Sequence, residues 1–238
     1  MPEPPLRADP LEPRLLLADP WLLVLLKPAG LLSQPGLGPE LADSLISRVQ
    51  RRWPEARLVH RLDRDTSGLL LLARDALTHR QLSQAFAARC VRKTYLARVQ
   101  GVPPGRGGVI DQPLARIATR PPRYGVVPVA AGGKPALTRW RRLQRGPGDG
   151  WSLLLLQPHT GRSHQLRVHL TALGHPILGD PLYGPQPASP GGSHAIGERT
   201  AGDPWPGLRL HAAALRLRHP HSGLPLRLRS PELAGWLG

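Results

Sequence analysis

Residues 21–26 form a wholly apolar run of strand length, halted by Lys27-Pro28, and such a run reads as a buried strand. Behind it, Leu45, Ile46, Val49 and Trp53 recur at helical spacing. Asp43 or Ser44 can cap that helix and Pro54 ends it. A second apolar strand is predicted at residues 69–73. Asp75 then caps a helix reaching about residue 89, and residues 93–100 alternate with Tyr95, Ala97 and Val99 on one face before Gly101 closes the strand. Further strands are predicted at 136–143 and 151–157, a helix over 163–173 ended by Gly174, and a strand pair at 210–218 and 224–229. Ser230-Pro231-Glu232 starts a short terminal helix. Gly/Pro-rich segments at 101–108, 146–150 and 184–207 interrupt this series, the last expected to be a mobile surface loop. Strands and helices mix without strict alternation, which predicts an α+β domain on a largely antiparallel, mixed sheet with flanking helices. Residues 1–18, rich in proline and charge, are expected to be a surface extension, and 19–238 a single domain.

Composition narrows the possible partners. The 32 Lys and Arg outnumber the 16 Asp and Glu, giving a formal charge of +16, and such an excess calls for an anionic partner, nucleic acid or acidic lipid. Only Lys27, Lys93 and Lys134 are lysines and the other 29 are arginines. A GC-rich coding bias produces the same excess, yet it still supplies planar forks that suit phosphate and stack on bases. No stretch approaches the roughly 20 apolar residues of a membrane span, and the first residues carry acids and prolines where a secretion signal is basic and then apolar. The expectation is a cytoplasmic protein with no membrane partner. Cys90 is the single cysteine, which excludes an internal disulfide or a cysteine-based zinc site and reads as a small core residue.

Two segments carry the chemistry. In the first, Val59-His60-Arg61-Leu62-Asp63-Arg64-Asp65-Thr66-Ser67-Gly68, dense polar residues precede a core strand. Arg61 and Arg64 flank Asp63 and bias it toward the ionised state that a nucleophile needs, although a solvated turn with a surface ion pair would read the same. Asp65-Thr66-Ser67-Gly68 nearly reads as an aspartic protease loop, but an extra residue breaks that pattern and no second copy completes a dyad. The second segment, residues 158–180, joins a glycine turn, Gly161-Arg162-Ser163, to a helix start. Such a turn aims amides and Arg162 at phosphate, while Leu166, Leu170 and Leu173 form the buried helix face and leave Arg167 at its edge. His159, His164, His169 and His175 tempt a metal reading. His164 and His169 are five apart and share no helix face, no Glu stands in a zincin position, and imidazoles beside phosphate-binding arginines are commoner than metal sites, so no metal is expected.

Residues 59–73 and 157–184 strongly resemble the signature segments of the RluA family of RNA pseudouridine synthases, with His60-Arg61-Leu62-Asp63 followed by Thr66-Ser67-Gly68. Lys27-Pro28-Ala29-Gly30-Leu31, the segment Lys93-Thr94-Tyr95, Lys134-Pro135-Ala136, and Leu210-His211-Ala212 agree in order and spacing. The resemblance implies the pseudouridine synthase fold with a central basic cleft, and an isomerase of structured RNA that needs no cofactor. It assigns Asp63 as the catalytic carboxylate that promotes cleavage of the uridine glycosidic bond. Arg167 is implied as the partner of Asp63, and Tyr95 as the aromatic that stacks on the uracil. Arg61 is implied to fill the space the base vacates, as extrusion of a paired base requires. His60, Arg64, Arg162 and His164 are the further candidates for RNA contact. With only about 20 residues before the first catalytic strand, no S4 RNA-binding domain is expected, and the chain is read as a monomer. Its segments look most like the subgroup acting on large-subunit (23S) ribosomal RNA and the tRNA anticodon stem-loop. The rival reading is a non-catalytic RNA-binding or ribosome-assembly protein that retains the fold.

Overall fold

The computed structural model describes residues 9–184 and 207–237. The segment placed in a surface extension already contributes a strand, β1 (Arg14–Ala18), which pairs antiparallel with β2 (Leu22–Lys27) at the sheet edge. All six β2 residues are buried. The reason is visible farther on: α1 (Leu45–Gln50) covers one face of the sheet, and after the short β3 (Arg57–Leu58) and β4 (Ser67–Ala73), α2 (Ala76–Ala87) covers the other. Leu23, Leu25, Leu70 and Leu72 pack under α1, and Leu22, Val24, Leu69 and Leu71 under α2. A strand buried on both faces shows a continuous apolar run rather than alternation. Ser44 caps α1 through a reciprocal bond with Ser47, and Asp75 caps α2 at the Thr78 amide, both at their predicted positions.

The strand expected at 93–100 is β5 (Arg92–Gln100). Three strands that the hydrophobic pattern did not predict follow it: β6 (Gly107–Asp111), β7 (Leu114–Thr119) and β8 (Pro122–Val126). β7 and β8 pair with each other as a hairpin apart from the main sheet. Then come β9 (Leu137–Arg145), β10 (Trp151–Pro158), α3 (Gln165–Ala172), β11 (Leu210–Arg218), β12 (Pro225–Arg229) and α4 (Leu233–Leu237). Among the described residues the main sheet has ten strands in the path β1-β2-β4-β11-β5-β10-β9-β6, with β12 on β11 and β3 on β4. Every pairing is antiparallel except β4 with β11, so the fold is the α+β class expected. Gly68 makes the parallel junction possible. At φ 113° a Cβ there would lie 2.4 Å from the Ala212 carbonyl oxygen, a distance no side chain tolerates.

Tyr95 lies where two core clusters on one sheet face meet, that of α1 with β2 and β4 and that of α3 with β5 and β10. The cleft opens along this seam. Most of the 184–207 loop lies outside the described residues. Cys90, read as a core residue, is exposed just beyond α2, because the helix ends before it and turns the chain outward at Arg89 (φ 60°). Among the described residues no helix is long and apolar enough to cross a membrane.

Candidate active site

Residues 59–66 connect β3 to β4, and buried polar anchors fix their course. Lys27, fully buried, donates its ammonium protons to the carbonyls of Pro28, Leu31 and Arg64 at 2.7–2.8 Å. Burial lowers its pKa to about 7 against the opposing pull of Asp65 and Asp63. Ser33 donates to the Leu62 carbonyl and accepts the Leu62 amide. Lys27→Met keeps the side-chain length but leaves the Pro28 and Leu31 carbonyls without this donor, the Arg64 carbonyl retaining the Gly30 amide. It should cost about 3 kcal/mol or more of stability, and an unchanged denaturant midpoint would contradict this anchoring.

Histidines brace the same loop. His60 Nε2 accepts the Leu71 amide at 3.1 Å and its ring stacks on Phe86 at 4.5 Å. One face and one nitrogen of this candidate RNA contact are therefore taken up by the fold. His211, buried, bonds Ser67 Oγ and Ser230 Oγ, each at 2.8 Å, and stacks on Trp236, tying the loop exit to the C-terminal helix. Burial, with Lys93 acting on His60, lowers these imidazoles to about 3 for His60 and about 4 for His211. The unfolded chain takes up both protons near pH 6.5 and the folded chain does not, so their contribution is full above pH 6.5 and fades as the pH falls to 4 and below. The thermal midpoint should decline steadily over that interval, and a flat profile would exclude buried neutral rings.

The second segment enters from β10. Gln165, buried at the start of α3, accepts from Thr160 Oγ1 (2.7 Å) and from the Arg162 amide (2.9 Å), and donates to Thr138 Oγ1 and the Leu137 carbonyl. The turn amide expected to face phosphate is thus directed inward. The helix begins at Gln165 rather than Ser163, because His164 takes a left-handed conformation (φ 54°, ψ 19°).

The two segments meet at Arg167. Expected at the helix edge, it is 3% exposed. Its Nη1 reaches Asp63 Oδ2 at 3.5 Å, while Nε and Nη2 grip both oxygens of Asp180 at 2.7 Å. The tight bidentate partner is therefore Asp180, and Asp63 takes the remaining edge of the fork. Asp180 also accepts the amides of Leu182 and Tyr183, and the Tyr183 ring lies 5.0 Å from the guanidinium carbon. Asp180 and Tyr183 carried no site role in the sequence reading. Their only signal was a place in the segment 157–184, close behind a glycine turn.

Asp63, Tyr95, Arg167, Arg61, His60, Arg162 and His164 line one cleft of about 520 Å³. Asp63 is the one carboxylate among its described lining residues, and Arg89 and Lys93 join the basic wall. Burial, together with the charge of Asp63, raises the Tyr95 phenol above its ordinary range. Arg64 does not line the cleft: exposed, it pairs with Asp65 at 2.9 Å, so of the two flanking arginines only Arg61 faces the site. His164 bonds Tyr183 and His169 bonds Thr138 and Gln112. Among the described residues no three metal-ligating side chains converge.

Asp63, the buried Arg167 and the half-buried Tyr95 thus stand together in one basic cleft over a mixed sheet. The chain belongs to the RNA pseudouridylate synthase family, whose profile matches residues 21–172, and it is an RNA pseudouridine synthase. It is 41% identical over 224 residues to the dual-specificity RNA pseudouridine synthase RluA of Escherichia coli (strain K12), covering 93% of this chain and 95% of that protein. The protein of the same name from Yersinia pestis is 41% identical over 214 residues, with 90% and 96% covered. Among solved structures, human RNA pseudouridylate synthase domain containing 1 superposes with a TM-score of 0.76 at 28% identity, over 97% of this chain and 88% of that one.

Proposed function

We propose that this enzyme isomerises uridines in both large-subunit ribosomal RNA and tRNA, acting in the cytoplasm as a monomer through a single catalytic domain that takes in β1. The dual-specificity name of relatives similar over nine-tenths of the chain supports the substrate pair. The observation that carries the catalytic reading is the contact of Arg167 with the lone cleft carboxylate, Asp63, beside Tyr95. In this reading Asp63 promotes cleavage of the bond between uracil N1 and ribose C1′. The uracil turns, C5 bonds to C1′, the C5 proton leaves and N1 gains one, so the atoms balance as an isomerisation. Arg167, clamped by Asp180, orients the carboxylate, and Tyr95 stacks on the base. Arg61, exposed at the cleft, takes the place of the extruded base, while Arg162 and His164 contact the RNA and His60 braces the β3–β4 loop. Arg64 contributes charge outside the cleft. Chemical pseudouridine mapping of total RNA from cells with and without the gene tests this directly. Sites lost in both RNA classes would support it, and an unchanged map would refute it.

Tyr95→Phe separates stacking from proton transfer. The phenol stays protonated in this site, so its hydroxyl can donate or relay a proton. The variant should bind RNA normally and turn over more slowly by roughly 10²–10⁴-fold. Near-normal turnover would leave Tyr95 a stacking role alone.

A further inference from the structure

His164 holds a strained backbone and yet does not cap its helix. It sits at φ 54°, ψ 19° immediately before α3 and makes no side-chain cap bond. Residues other than glycine enter this region at a cost, and such strain clusters at functional sites. What the ring does instead is bond Tyr183, Nδ1 to hydroxyl at 2.8 Å. The Tyr183 oxygen already accepts the Tyr124 amide at 2.9 Å, which leaves its own proton to donate to Nδ1. In that arrangement Nδ1 accepts and the imidazole proton lies on Nε2. The edges of Tyr124 and Tyr183 box the ring at 5.2 and 5.6 Å. Nε2 has no bonded partner among the described residues, and His164 lines the cleft with Asp63 and Arg167.

We infer that His164 presents a fixed, neutral Nε2–H donor to a carbonyl oxygen of the extruded uracil, and that Tyr183 is the positioning residue that sets this tautomer. The inference rests on the proposed centre at Asp63. Burial first, and then Arg167 and Arg61, disfavour the cation of the imidazole, against the pull of Asp63 and Asp180, so that its pKa is lowered. A neutral donor suits a neutral carbonyl, whereas phosphate is better met by the guanidinium of Arg61 or Arg162. Tyr183 also lies against the Arg167 guanidinium, so one side chain aligns the donor and supports the partner of Asp63.

The tautomer is read directly by nitrogen-15 NMR of histidine-labelled enzyme, with the signal assigned by its disappearance in His164→Asn. The Nε2–H form should dominate at neutral pH and give way to mixed tautomers in Tyr183→Phe, which keeps the ring under Arg167. An Nδ1–H form or an imidazolium in the wild type would overturn the inference. In turnover, His164→Asn tolerates the left-handed backbone but its amide falls short of the Nε2 position. It should lose about 10- to 100-fold in kcat/KM, the worth of one buried hydrogen bond, and His164→Gln, whose amide reaches that position, should recover most of it. RNA carrying 2-thiouridine or 4-thiouridine at the target offers a poor acceptor at one carbonyl. One of the two should penalise the wild type and leave His164→Asn nearly unaffected, whereas equal penalties in both enzymes would refute the contact. Product from an Asp63→Asn enzyme would instead overturn the underlying centre, and the NMR result would stand.

Discussion

Asp63→Asn should bind RNA as tightly as the wild type, or more tightly, and form no pseudouridine. Affinity in a chain of charge +16 is spread over many arginine–phosphate contacts, and removing one negative charge from a basic cleft adds to attraction rather than subtracting from it. The amide preserves size and hydrogen-bonding shape but abolishes nucleophilicity. No neighbour can take over: Asp65 is engaged by Arg64, and Asp180, its side chain 0% exposed, is shut behind Arg167. Loss of a reacting carboxylate typically costs about 10⁴-fold or more. Measured by pseudouridine-specific chemical labelling of one transcript, product above about a ten-thousandth of the wild-type rate would remove Asp63 from the reaction.

Arg167→Met should fail twice, in activity and in folding. Activity falls because Asp63 loses the group that orients it. Stability falls because Asp180 keeps only two backbone amides against a full buried charge, and orphaning one member of a buried pair costs about 3–5 kcal/mol. The double variant Arg167→Met with Asp180→Asn separates the two. Asparagine still accepts the Leu182 and Tyr183 amides but carries no charge, so the denaturation midpoint should recover most of its loss while pseudouridine formation stays absent. A double variant as unstable as the single one would show that the Arg167–Asp180 pair is not the source of the loss, and one that regained activity would dismiss Arg167 as the partner of Asp63.

Features settled by neighbouring residues could be read from the chain. The apolar runs around Leu22–Lys27 and Ser67–Ala73 announced buried strands, and Ser44 and Asp75 marked helix starts because a cap bonds an amide three residues away. The segment around His60 to Gly68 singled out Asp63, the family resemblance pointed to Arg61, Arg167 and Tyr95, and all four line one cleft. Strands β1, β6, β7 and β8 escaped notice because they lie at sheet edges or in a detached hairpin, bury few side chains, and so leave little alternation to detect. Arg64 turning to Asp65, Cys90 facing outward and His60 giving its Nε2 to a strand amide were equally invisible. The resemblance paired Asp63 with Arg167 across 104 residues, but only the tertiary structure decided how Arg167 divides its donors between Asp63 and Asp180. Which pairing wins depends on where the β3–β4 loop meets the start of α3, and there Asp180 takes the bidentate face of the guanidinium, leaving Asp63 its free edge.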